Sequence, residues 1–123
     1  MPMQIYESAE DYLEAILVIQ QKKGVAHSID IAEEKHFSKA SVSIAMKKLR
    51  ENGYIAMERD GTLKLLPPGL EIAERIYERH RVLTALFVEL GVDEETASKD
   101  ACKVEHDLSE ITFQKIKEKF GTK

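Results

Sequence analysis

Tryptophan is absent from these 123 residues, cysteine occurs once and proline three times. A lone thiol, Cys102, excludes an internal disulfide and fits a reducing compartment, so a cytoplasmic location is expected. Apolar runs reach only a few residues, and Met1 to Glu10 carries neither a basic stretch nor an apolar segment behind it. Neither a membrane span nor a secretory signal is therefore expected. With six glycines and no biased tract, the chain has no flexible linker or internal repeat. Positive charge is also in deficit: the net charge of −4 argues against indiscriminate nucleic-acid binding, although a sum hides how charge is distributed. What is present is 43% hydrophobic and 33% charged content, which suits one globular domain or two small lobes and excludes a large multidomain enzyme.

Helical periodicity runs from Ser8 to about Lys22 through Leu13, Ile16 and Leu17, and Gly24 ends it. Ser28 is positioned to open a short helix with Ile29 and Ala32 inward, followed by a turn at Phe37 and Ser38. The next segment places Val42, Ala45, Met46 and Leu49 on one face and stops at Asn52-Gly53. Two short alternating segments then flank Asp60-Gly61, which predicts a β-hairpin with a two-residue turn. After Pro67-Pro68 a long helix is expected from about Gly69 to Leu90, with Ala73, Ile76, Leu83, Phe87 and Leu90 on its inner stripe. Asp93 can cap a helix to about Leu108, and Ser109 can cap a last one. The expected fold is mainly α: a winged helix-turn-helix over residues 1–66 and a helical lobe over 67–123.

A helix-turn-helix followed by a hairpin places its second helix in a DNA major groove and its hairpin against the backbone. Local charge agrees, because Lys35 to Lys64 holds seven basic residues against three acids. Ser38, Ser41 and Ser43 begin the reading helix, where short hydroxyls and backbone N–H groups approach phosphates and base edges. Lys39 lies among them, and Lys47, Lys48 and Arg59 suit phosphate contacts. The alternative is that the serines only cap the helix and the lysines are merely solvated.

The charge reverses downstream: Asp93 to Glu110 holds seven acids against two lysines. Within it Cys102, Glu105 and His106 stand at i, i+3 and i+4, bringing thiol, carboxylate and imidazole onto one side of a helix, within about 100°. Asp11 and Glu14 form a second i, i+3 pair on the first helix, which taken alone reads equally well as surface acids. His80 interrupts the apolar stripe of the long helix, where a hydrogen-bonded core histidine is the alternative reading. Together these groups offer oxygen, nitrogen and sulfur donors suited to a divalent transition metal. His27 and His36 have no such company and read as surface residues.

The order of elements and the segments DYLEAI, RHR and CKVEHDLS resemble the metal-dependent repressors typified by the diphtheria toxin repressor and the manganese transport regulator. The resemblance covers nearly the whole chain and is closer to the short, manganese-type members. It implies a cytoplasmic homodimer that binds double-stranded DNA at a palindromic operator and represses metal-uptake genes, with Mn²⁺ or Fe²⁺ as activator and Zn²⁺ or Co²⁺ as substitutes in vitro. The metal ligands it implies are Asp11, Glu14, His80, Cys102, Glu105 and His106. Asp11 matches the manganese type and Cys102 the iron type. The two positions that join the histidine in the ancillary site of iron-type members are here Thr84 and Ser98, which turns His80 toward Asp11 and Glu14. Ile44 stands where the iron type has a polar reading residue, and the extra SH3-like domain of that type is not expected. Two other classes stay open: a winged-helix regulator not controlled by metal, and a carboxylate-bridged dinuclear enzyme, though bundle enzymes of that kind use a Glu-x-x-His motif twice.

Overall fold

A computed structural model describes residues 7–121, with side chains from Ser8 to Phe120, so Met1 to Tyr6 of the expected leaderless start lie outside the described residues. The elements in chain order are α1 (Glu7–Lys23), α2 (Ser28–Lys35), α3 (Lys39–Glu51), β1 (Ile55–Met57), β2 (Leu63–Leu65), α4 (Pro67–Glu89), α5 (Glu94–Val104) and α6 (Glu110–Ile116), closed by a π-helical turn over Lys117–Gly121. They divide into two compact units, Met1–Glu74 and Arg75–Lys123.

The first unit is a winged helix. Leu13 and Ile16 of α1, Ile31 of α2, Val42, Met46 and Leu49 of α3, Ile55 of β1 and Leu63 of β2 form its buried core. Antiparallel β1 and β2 pair Ile55 with Leu65 and Met57 with Leu63, and Ala26 adds a bridge to Leu63. A Cβ on Gly69 would stand 2.1 Å from the Tyr54 carbonyl oxygen, so only glycine lets the first turn of α4 approach the wing this closely.

Several local expectations are corrected. α2 opens at Ser28 as expected, with His27 as its N-cap; the Asp30 carboxylate accepts from the His27 backbone N–H at 2.9 Å and pairs with Lys23 at 3.0 Å. Ile31, not Ile29, turns inward with Ala32, and Ile29 is 42% exposed. His27 is thus half-buried at a helix start, unlike exposed His36, which closes α2 in the left-handed region at φ 59°. The hairpin turn is not two residues long. Gly61 N–H donates to the Glu58 carbonyl and Glu58 N–H to the Thr62 carbonyl, a type I turn whose following residue, Gly61, sits at φ +90°. This three-residue loop demands positive φ of glycine alone, not of Asp60. Pro67-Pro68 opens α4 instead of preceding it, because the first turn of a helix has no partner for those N–H groups.

In the second unit Ile76, Leu83, Ala97, Ala101 and Phe113 are buried, whereas Leu90 is 71% exposed and belongs to no inner stripe. Asp93 and Ser109 cap as expected, accepting from the N–H groups of Thr96 and Thr112. Hydrogen bonds from the Thr96 N–H and then the Thr96 hydroxyl hold the Asp93 carboxyl below its ordinary range. α5 ends at Val104, not Leu108, so Cys102 lies in its last turn, Glu105 at its C-cap and His106 in the turn beyond. Glu105 nevertheless keeps helical dihedrals, φ −58° and ψ −27°, which continues the helical spacing from Cys102.

Candidate metal centre and nucleic-acid interface

Glu105 is the centre of the second unit's polar chemistry. Its side chain is fully buried, and Oε2 lies 3.0 Å from His80 Nδ1. The far ring nitrogen of His80, Nε2, meets Ser98 Oγ at 3.2 Å. The other carboxylate oxygen, Oε1, is buried without a hydrogen bond, and His106 Nε2 lies 3.6 Å from it. The His106 imidazole is itself enclosed, with 2% of its side chain exposed. Half-buried Cys102 brings its Sγ within 4.8 Å of a Glu105 oxygen.

A buried carboxylate oxygen without a partner is costly unless a cation or donor completes it. The surrounding imidazoles and thiol are transition-metal ligands, so His80, Cys102, Glu105 and His106 fit a divalent metal by donor chemistry. Asp11 and Glu14 stand one turn apart on α1 in the first unit, half-buried and buried respectively.

The turn that carries Glu105 is pinned by a residue that sequence patterning missed. Arg79 is 94% buried by its 6% exposure, and its Nη1 donates to the carbonyls of Glu105 at 3.1 Å and Leu108 at 2.7 Å. Its Nη2 donates to Glu110 Oε1 at 2.9 Å, and its guanidinium lies 5.1 Å over the Phe113 ring. A hydrogen bond from Gln114 and then that from Arg79 hold the Glu110 carboxyl below its ordinary range. The only sequence signal was an arginine at helical spacing from Ile76 and Leu83 on the inner stripe.

The first unit presents the other interface. Val42, Met46 and Leu49 turn one face of α3 inward, leaving Ser41, Ser43, Lys47 and Lys48 exposed. Lys39 and Arg59 are exposed as well, and Arg59 stands at the tip of the hairpin. Ser38 accepts from the Ser41 N–H at 3.1 Å and donates to Ser41 Oγ at 2.8 Å, so both hydroxyls serve the cap as well as facing solvent. Among them Ile44 is 60% exposed, an apolar side chain on an otherwise polar reading face.

A winged helix with an exposed basic reading face, carried in one chain with a buried oxygen, nitrogen and sulfur donor cluster, defines a metal-responsive DNA-binding regulator. Comparison with known proteins gives the particular family. Residues 4–63 match the iron dependent repressor N-terminal DNA binding domain, and residues 67–122 match the iron dependent repressor metal binding and dimerisation domain. The chain belongs to this family and is a metal-responsive, DNA-binding transcriptional repressor of metal homeostasis. It is 36% identical over 122 residues to an uncharacterised HTH-type transcriptional regulator of Methanocaldococcus jannaschii, covering 95% of this chain and 98% of that one. It is 35% identical over 109 residues to the HTH-type transcriptional regulator MntR of Lysinibacillus sphaericus, covering 89% and 78%. Among solved structures, T. acidophilum IdeR aligns with a TM-score of 0.83 at 27% identity, over 98% of this chain and 56% of that one. A manganese-dependent transcriptional repressor in complex with manganese aligns with a TM-score of 0.83 at 29% identity, over 92% and 52%. The chain therefore spans about half the length of these two solved proteins.

Proposed function

We propose that Mn²⁺ or Fe²⁺ activates this repressor through Asp11, Glu14, His80, Cys102, Glu105 and His106, and that the loaded homodimer binds a palindromic operator in the cytoplasm. The carrying observation is the fully buried Glu105 carboxylate, with one oxygen against His80 and the other without a hydrogen bond beside enclosed His106. Relatives named MntR and the manganese-bound solved repressor support manganese, and Cys102 supports a softer ion such as Fe²⁺. Zn²⁺ and Co²⁺ are expected to substitute in vitro.

When bound, the divalent ion supplies the positive charge that lets several carboxylates share a small volume. Glu105 lies beside both imidazoles; Asp11, Glu14 and His80 would hold one ion and Cys102 and His106 another, with Glu105 as a ligand available to both. Asp11 and Glu14 belong to the helix-turn-helix lobe, residues 1–66, and the other four donors to the dimerising lobe, residues 67–123. Joint ligation by these residues would limit the spacing of two reading helices, which must reach successive major grooves about one helical turn of DNA apart. Ser38, Lys39, Ser41, Ser43, Lys47, Lys48 and Arg59 make the DNA contacts. The linkage is reciprocal, so operator DNA tightens metal binding. No catalytic role is assigned to any residue, in keeping with a family of transcriptional regulators. Among the described residues no helix is long and apolar enough to cross a membrane.

The test is retention of fragmented host DNA by reduced protein under anaerobic conditions, with Mn²⁺, Fe²⁺, Zn²⁺ or chelator. Metal-dependent enrichment of a palindrome, lost in Asp11→Ala and Glu105→Ala with helical circular dichroism intact, is expected. Equal enrichment in chelator would refute metal activation.

A further inference from the structure

The geometry points to Ser98 as a positioning residue that partners His80 Nε2 in either tautomer and accepts its proton when Nδ1 serves as the metal donor. This inference rests on the proposed metal ligation by His80 and concerns a residue outside that ligand set. α4 and α5 place the His80 ring between two oxygens: Ser98 Oγ at 3.2 Å from Nε2 and Glu105 Oε2 at 3.0 Å from Nδ1. The two oxygens differ in what they can do.

A carboxylate only accepts, whereas a serine hydroxyl both donates and accepts and rotates to suit its neighbour. A neutral imidazole carries one proton, and only its bare nitrogen can bind a metal. With no cation between them, Glu105 Oε2 draws the ring proton to Nδ1, and the Ser98 hydroxyl can then donate to bare Nε2. For Nδ1 to ligate beside Glu105, the proton must sit on Nε2, and Ser98 Oγ must turn its lone pair to accept it. Ser98 allows either arrangement while His80 keeps a partner on Nε2. An alanine there would offer no acceptor, and the methyl of a buried aliphatic side chain would oppose the ligating tautomer.

The surroundings set the size of the effect. His80 and Ser98 line a cleft of about 450 Å³ together with Tyr77, Arg81 and Thr84, all in the second unit. Water entering this cleft would partly replace a lost hydroxyl, which places the effect at the low end of the 10- to 100-fold range typical of residues that orient a metal-binding histidine.

The experiment uses the full chain and Zn²⁺, a diamagnetic probe, in competition with a chromophoric chelator. Long-range ¹⁵N NMR of the His80 ring, with and without Zn²⁺, is the second readout. Ser98→Ala is expected to weaken Zn²⁺ binding about tenfold and to change the tautomer populations of the metal-free ring, and Ser98→Thr is expected to restore both. Unchanged Zn²⁺ affinity and ring spectra in Ser98→Ala, with binding still lost in Glu105→Ala, would overturn the role of Ser98 alone. A Zn²⁺-loaded wild type with its proton on Nδ1 would do the same. If Zn²⁺ leaves the His80 resonances of the wild type unmoved, the metal site itself is wrong and this inference falls with it. Alanine is the best helix former, so unaltered helical circular dichroism in Ser98→Ala confirms that the comparison is made between folded proteins.

Discussion

Replacing Arg79 by methionine keeps an unbranched stem in place but removes the guanidinium that fastens the 105–108 turn to α4. Two hydrogen bonds disappear, to the Glu105 carbonyl at 3.1 Å and the Leu108 carbonyl at 2.7 Å. Hydrogen bonds from a charged donor contribute about 1.5–3 kcal/mol each, and the abandoned carbonyls lose their partners. Stacking over Phe113 adds about 1 kcal/mol. The Glu110 pair adds little, because that carboxylate is largely exposed. Against this, methionine spares the cost of burying a charge. The summed loss is about 4–7 kcal/mol, and that offset brings the net to about 3 kcal/mol. Since the two units need not unfold together, a global melt is a poor readout. Native-state hydrogen exchange is local: the Phe113 amide, which donates to the Ser109 carbonyl, should exchange roughly 100-fold faster if it reports opening of this turn. Arg79→Lys should fall between, because an ammonium lacks the planar fork. Exchange at Phe113 within about threefold of wild type, roughly 0.6 kcal/mol, would refute the assignment of Arg79 as the clamp of this turn.

Other expectations follow from single contacts. Lys47→Ala should weaken binding to all DNA sequences and lower the salt slope by about one unit per subunit, measured by titration at several salt concentrations; an unaltered slope removes that phosphate contact. Gly69→Ala should destabilise by about 2 kcal/mol in a thermal melt, because the new Cβ meets the Tyr54 carbonyl oxygen, although helix propensity alone predicts a gain. Asp30→Ala should cost about 1 kcal/mol at neutral pH through loss of the α2 cap. The Lys23 hydrogen bond chiefly, aided by the His27 N–H, holds the Asp30 carboxyl below its ordinary value of 3.8. Its contribution is therefore full above pH 3.8 and is lost as pH falls through the lower folded value, so the melts of mutant and wild type should converge in acid.

The sequence was legible where local chemistry decides. Asp93 and Ser109 cap helices from their own side chains, and Gly24 and Gly53 take the positive φ that ends them. The thiol, carboxylate and imidazole were legible because their spacing survives the end of α5 at Val104. At α2 the start at Ser28 was legible but the buried face was not: Ile31 lies inward, and Ile29, expected inward, is 42% exposed. Asp60-Gly61 was read as a two-residue turn because its composition fits that type, yet the pairing of Glu58 with Thr62 sets a longer loop. Arg79 and Ser98 were unreadable in these roles because their partners lie 18 to 31 residues away, where neither periodicity nor spacing reports contact.

The wing is tied down at its base and again just below its tip. Leu63 donates to the Ala26 carbonyl, Leu66 to the Tyr54 carbonyl, and Glu58 to the Thr62 carbonyl just below the tip. Arg59 is thus carried on a loop of three residues whose stem has little room to swing. Fixing a long side chain on a stiff arm costs only that side chain's own rotamers on association, about 1 kcal/mol, and not the ordering of a whole mobile loop. With the proposed Arg59 contact, the hairpin would act less as a flexible finger searching for a phosphate than as a ruler, its short span setting how far from the reading helix the DNA backbone runs.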